Sequence, residues 1–162
     1  MIFLILGIIL ISSIGVYAYT QQPDKRLTPE LEKLINSKAL AWSLSPALVK
    51  AVARAESGFD ILAQNPSDPS YGLLQITPGL AYDYGLIVDY RSPSDYEIGK
   101  IYNVSNNLDV ACWFMKRLHS KYTFDEAVQM YNVGETGYKK GVRNAAYLKK
   151  VRGYYEHYKK GY

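Results

Sequence analysis

The sequence predicts a mainly α-helical domain, preceded by an N-terminal hydrophobic segment. Three observations carry this. Helix-start signals recur at Thr28-Pro29-Glu30, Ser45-Pro46, Thr123-Phe124-Asp125-Glu126 and Asn144. No run alternates apolar and polar residues as a half-buried strand does. The chain has 162 residues, 48% of them hydrophobic, enough for one core and one domain.

The elements follow in order. Residues 1–18, "MIFLILGIILISSIGVYA", are uncharged and almost wholly apolar. Their length is close to the roughly 20 residues that cross a bilayer. They read as a membrane anchor or as a secretory signal ending at Val16-Tyr17-Ala18. Lys25 and Arg26 are the first basic residues after them, which leaves the orientation open. Residues 19–27 are a polar linker and residues 28–162 the domain.

Thr28 caps a helix that has proline at its first position and runs to about residue 44. Ser45-Pro46 opens another, ending near Glu56, and Gly58 suits the position after a helix end. Residues 61–85 are rich in Pro, Ser, Asn, Asp and Gly. They read as loop, with one short strand or helical turn near 73–80. Asn107 is placed to cap a helix to about residue 122. Thr123 to Glu126 form a capping box before "AVQMYNVG", and Asn144 opens the last helix.

At about 100° per residue, Leu48, Val52, Ala55, Glu56 and Phe59 fall on one stripe, with Lys50 and Arg54 elsewhere. A carboxylate on that stripe, at a helix C-terminus, is disfavoured by desolvation and by the macrodipole. Both effects raise its pKa, which suits a general acid. The other reading is a glutamate at the stripe's edge, satisfied by a cap or a lysine.

The surrounding motifs bear on that choice. Glu56-Ser57-Gly58-Phe59, then Asn65-Pro66, then Gly72-Leu73-Leu74-Gln75-Ile76-Thr77-Pro78, and then Met130-Tyr131-Asn132-Val133-Gly134 resemble the soluble lytic transglycosylase family. Asn107 and Tyr147-Leu148 extend the likeness, which spans about residues 45–158. The resemblance implies a lysozyme-like helical fold with a saccharide groove. It also implies cleavage of the β-1,4 bond between N-acetylmuramic acid and N-acetylglucosamine in peptidoglycan, with a 1,6-anhydro product. In that likeness Glu56 is the sole catalytic acid/base and Tyr131 the tyrosine that orients it. Ser57, Asn65, Gln75 and Asn132 take the places of substrate-binding residues. Leu74 stands where the family often has methionine, a volume-conserving change. Met130 and Val133 replace alanines and narrow the groove, while Pro69-Ser70-Tyr71 departs from the family's loop.

A second carboxylate would permit hydrolysis. Asp60, Asp68, Asp83, Asp89 and Asp95 all sit in turn-like contexts. The rival enzyme is therefore a goose-type hydrolytic muramidase, in which a loop aspartate positions water. A non-catalytic wall-binding or assembly module is the rival outside enzymes.

Among the sixteen tyrosines, Tyr71, Tyr82 and Tyr84 are candidates to line a groove, and Tyr147, Tyr154, Tyr155 and Tyr158 read as core or core edge. The net charge is +4. The bases from Lys139 to Lys160 read as a solvated face or as attraction to anionic wall polymer or lipid head groups. No nucleic-acid-binding motif accompanies them, so nucleic acid is not an expected partner. Cys112, the single cysteine, reads as core. His119 and His157 lack metal-ligand spacing, so neither a metal nor another cofactor is expected. The expected partners are peptidoglycan glycan strands, a membrane through residues 1–18, and a larger assembly such as a phage virion or secretion machine. The expected location is the bacterial cell envelope, on the wall side.

Overall fold

The computed structural model describes residues 26–161, so the hydrophobic segment 1–18 and most of the linker lie outside the described residues. Within them no helix is long and apolar enough to cross a membrane. The order is α1 (Pro29–Ala41), α2 (Pro46–Glu56), β1 (Gln64–Asn65), β2 (Ser70–Tyr71), α3 (Pro78–Tyr84), α4 (Asp95–Tyr102), α5 (Val104–His119), α6 (Phe124–Val133), α7 (Glu135–Lys139) and α8 (Ala145–Lys159). The mainly α expectation holds.

The helix starts follow their signals. Thr28 accepts from the Leu31 N–H, and Pro29 needs no partner at the first position. Asn144 accepts from the Tyr147 N–H to open α8. At the α6 start, the Glu126 carboxylate accepts from both the Thr123 N–H and hydroxyl. Three boundaries differ from expectation. Helix α1 stops at Ala41, and Ser43, at φ 55°, turns the chain into α2. Helix α3 closes the stretch that reads mostly as loop, just after the short element expected near 73–80, and α4, absent from the sequence reading, is secured by the Ser94–Glu97 capping box. The cap of α5 is Asn103, one turn before Asn107, which lies inside the helix and is fully buried.

Helix α2 runs through the middle of the core. Residues 47–55 are all buried, with α8 packed along one side and α1 along another. The amphipathic stripe expected for α2 is therefore too narrow a description. Lys50 and Arg54 are as buried as Ala47, at about 8% exposure. Each is held against aromatic faces of α8. The Lys50 ammonium lies 5.2 Å from the Tyr158 ring and pairs with Glu32 at 2.7 Å. The Arg54 guanidinium lies 4.5 Å from the Tyr154 ring. A cation over an aromatic face keeps part of its stabilisation without water. Cys112 is fully buried on α5, and burial pushes its thiol up to about 12.

Candidate active site

The chain reverses direction directly after Glu56, the last residue of α2. Ser57 closes the helix, and its hydroxyl donates to Leu73 O at 2.7 Å and Ala53 O at 3.3 Å. Gly58 and Phe59 both have positive φ, 61° and 64°. That turn drives the Phe59 ring into the core against Tyr158, with centroids 6.2 Å apart. A phenylalanine in the left-handed region is strained, and its burial offsets the strain.

Helix α8 supplies the setting of Glu56. The Tyr147 hydroxyl donates to Glu56 Oε1 at 2.5 Å. One turn further on, Lys150 Nζ donates to Ala55 O at 2.8 Å, at the end of α2. Glu56 is half-buried, and desolvation pushes its carboxyl up to about 7. The Tyr147 hydrogen bond and the Lys150 charge pull it the other way, but burial prevails. Burial first, and then the Glu56 charge, raises the Tyr147 phenol well above its ordinary value.

A knotted loop faces this acid. Gln75 sits at φ 49° and its side chain is committed to the loop itself. Its amide donates to Gly72 O at 3.0 Å and Ala63 O at 3.3 Å, while its carbonyl accepts from the Ser70 hydroxyl at 2.9 Å. Asn107 reaches in from α5. Its carbonyl accepts from the Leu74 N–H at 2.9 Å, and its amide donates to Tyr71 O at 2.9 Å and Ile101 O at 3.0 Å. Gly72 makes room for that amide. It lies at φ 76°, and a Cβ there would stand 2.7 Å from Asn107 Nδ2. Only glycine satisfies both conditions.

Tyr131 finishes the wall. Its hydroxyl donates to Leu74 O at 2.9 Å, and its ring lies 5.7 Å from Phe114. The orienting bond to Glu56 expected of Tyr131 is thus made by Tyr147. Burial first, and then the Glu56 charge, raises the Tyr131 phenol well above its ordinary value.

A cavity of about 720 Å³ opens beside Tyr131, a size suited to several small rings. Gln75, Leu80, Phe114, Tyr131, Asn132 and Val133 line it. Glu56, Ser57 and Asn65 are not in that lining, so Tyr131 is the residue common to the cavity and the acid's surroundings. Asn65 is exposed and its carbonyl accepts from the Ser67 N–H. Asn132 Oδ1 accepts from Asn144 Nδ2 at 2.8 Å. Tyr71, Tyr82 and Tyr84 pack on other rings, Tyr102, Tyr90 and the pair Trp42 and Trp113 respectively, and none of the three lines the cavity. Asp68 and Asp83, by contrast, do.

Two contributors escaped the sequence reading as parts of the site. Tyr147 reads there as core, and Lys150 as one base among many. The signal available was their i, i+3 spacing on a helix that must pack against α2.

The sequence model of the transglycosylase SLT domain family matches residues 33–152. No curated protein matches the chain significantly. Among solved structures, an inactive mutant of the lytic transglycosylase Slt from Pseudomonas aeruginosa is similar, with a TM-score of 0.60 and 18% sequence identity. The likeness covers 79% of this chain and 24% of that one, so this chain spans about a quarter of the structure it matches.

Proposed function

The chain belongs to the transglycosylase SLT domain family, and from that premise we propose that it is a peptidoglycan lytic transglycosylase acting in the bacterial cell envelope. The observation that carries this reading is the state of Glu56, a half-buried carboxyl held near pKa 7 with one oxygen bonded to Tyr147. With Oε1 engaged, Oε2 is the oxygen left to serve the sugar.

Glu56, protonated, gives its proton to the glycosidic oxygen of the β-1,4 bond between N-acetylmuramic acid and N-acetylglucosamine. The leaving sugar departs as an alcohol, and positive charge develops at C1 of the muramic acid. Glu56, now a carboxylate, accepts the proton of that sugar's C6 hydroxyl as its oxygen bonds to C1. The product is a 1,6-anhydro end, and the carboxyl regains its proton. Intramolecular attack needs no second carboxylate and gains from proximity. The substrate contact in this reading comes from the Asn132 amide on the cavity wall, while Gln75 braces the loop that forms part of that wall. Ser57 and Asn65 shape the loops beside it.

One observation favours a second reading. Asp68 and Asp83 line the cavity, where an aspartate is able to hold a water for hydrolysis. Digestion of purified sacculi in water enriched in heavy oxygen separates the two by mass spectrometry. Unlabelled anhydro ends are expected. Label in newly formed reducing ends would overturn the transglycosylase chemistry in favour of a muramidase. An absence of turbidity clearing would favour a binding or assembly module.

A further inference from the structure

The cavity wall carries a second chemistry beyond Tyr131. Arg117 near the end of α5, with Glu135 and Lys139 on α7, all line it. One carboxylate ties the two cations together. Glu135 Oε2 accepts from Arg117 Nη2 at 3.1 Å, and Oε1 accepts from Lys139 Nζ at 2.7 Å and the Tyr122 hydroxyl at 2.8 Å. The trio keeps one positive charge.

Arg117 is also fixed by stacking. Its guanidinium lies 5.6 Å from the Trp113 ring and 5.3 Å from the Phe114 ring. Ordering an arginine removes rotamer freedom, and here the ion pair and both rings do so in advance. The bond to Glu135 uses Nη2, and the guanidinium has further N–H groups for a planar anion. Phe114 in turn packs on Tyr131, so the cation stands one ring beyond the acid's neighbour.

The amino-sugar backbone of the strand is uncharged, so charge pairing on this wall needs a group other than the sugar rings. The carboxylates of peptidoglycan hang from the lactyl group of muramic acid, on its peptide stem or on the lactyl group itself. We propose that Arg117 and Lys139 form a subsite for a carboxylate borne on that lactyl branch. The subsite rests on the reading of the glycan strand as substrate. Asp68 and Asp83 come from other segments, the β1–β2 turn and α3, and repel an anion toward the α5–α7 side.

Initial rates on soluble strands test this for the wild type, Arg117→Gln and Lys139→Gln. Three substrates are needed: peptide-bearing strands, the same strands with carboxylates converted to neutral amides, and strands stripped of peptide by an amidase. Neutralisation is expected to raise the wild-type KM about tenfold with little change in kcat, the loss of one charge-assisted pair. Arg117→Gln is expected to raise KM similarly on charged strands and to show no further rise on neutral ones. Lys139→Gln, at a residue 60% exposed, gives the same pattern more weakly. An Arg117 effect that persists on amidase-stripped strands assigns the lactyl carboxylate, and one that vanishes there assigns the peptide. Equal KM rises on charged and neutral strands, or no rise in either variant, overturn the subsite. Failure of the wild type to cleave any strand instead brings down the transglycosylase reading beneath it.

Discussion

The Tyr147 hydroxyl lies 2.5 Å from Glu56 Oε1 although 91 residues separate the two along the chain. That bond joins the end of the buried α2 to the start of α8. Of the two tyrosines it is Tyr147 whose hydroxyl bonds to the carboxyl, while Tyr131 bonds to Leu74 O.

Tyr147→Phe is expected to lower kcat/KM on the order of tenfold or more, through loss of one aimed donor. The wild-type profile should fall as pH rises through about 7, where Glu56 loses the proton it must deliver. The Tyr147 bond holds that pKa down, so its removal should move the falling limb to higher pH. Tyr131→Phe, which frees Leu74 O and leaves Glu56 bonded, should reduce the rate less and leave the limb in place. A larger loss in Tyr131→Phe than in Tyr147→Phe would reverse the assignment.

Glu56→Gln should abolish cleavage and stabilise the protein at alkaline pH. The folded pKa of Glu56 is raised, so its favourable contribution is full below the unfolded value and is lost as pH rises through about 7. At pH 8 the wild type holds a half-buried charge that glutamine lacks, a difference on the order of 2–3 kcal/mol. Thermal melts at pH 5 and pH 8 measure it. Equal melting differences at both pH values would contradict the burial of the charge.

Asn107→Ala is expected to destabilise the fold by about 3 kcal/mol, because it strands the Leu74 N–H and two carbonyls beneath the loop. Urea denaturation gives the value. A change under about 1 kcal/mol would mean that water replaces the amide.

Gly72→Ala meets the same clamp from the other side. A methyl 2.7 Å from Asn107 Nδ2, at φ 76°, should lower stability by roughly 2–4 kcal/mol. The double variant Gly72→Ala with Asn107→Ala should lose less than the sum of the two, since the clash disappears with the amide. Strict additivity in denaturation experiments would show that the two residues do not meet.

Much of this architecture was legible in the sequence because local chemistry writes it. Thr28-Pro29, the Thr123–Glu126 box and Asn144 each open a helix where their side chains direct, and Pro46 at the first helical position opens α2 with no side-chain cap from Ser45. The position of Glu56 on an apolar face likewise forecast a raised pKa. The rest depends on partners distant in the chain. Asn107 looks like a cap to any local reading, since asparagine favours that position, yet its amide is taken up by a loop 33 residues away. Lys50 and Arg54 look solvated until the tyrosines of α8 arrive to cover them. Gln75 has the residue type of a sugar contact, and its amide is occupied by backbone carbonyls of its own loop.

The reach of α8 across to the end of α2 has a bearing on synthesis. A nascent chain leaving the ribosome presents Glu56 early, when the segment carrying Tyr147 and Lys150 has not yet emerged. Until that segment docks, the carboxyl sits in water, ionised at neutral pH, without a proton to give. In the proposed mechanism, the raised pKa that the acid needs is therefore set only once α8 docks on α2.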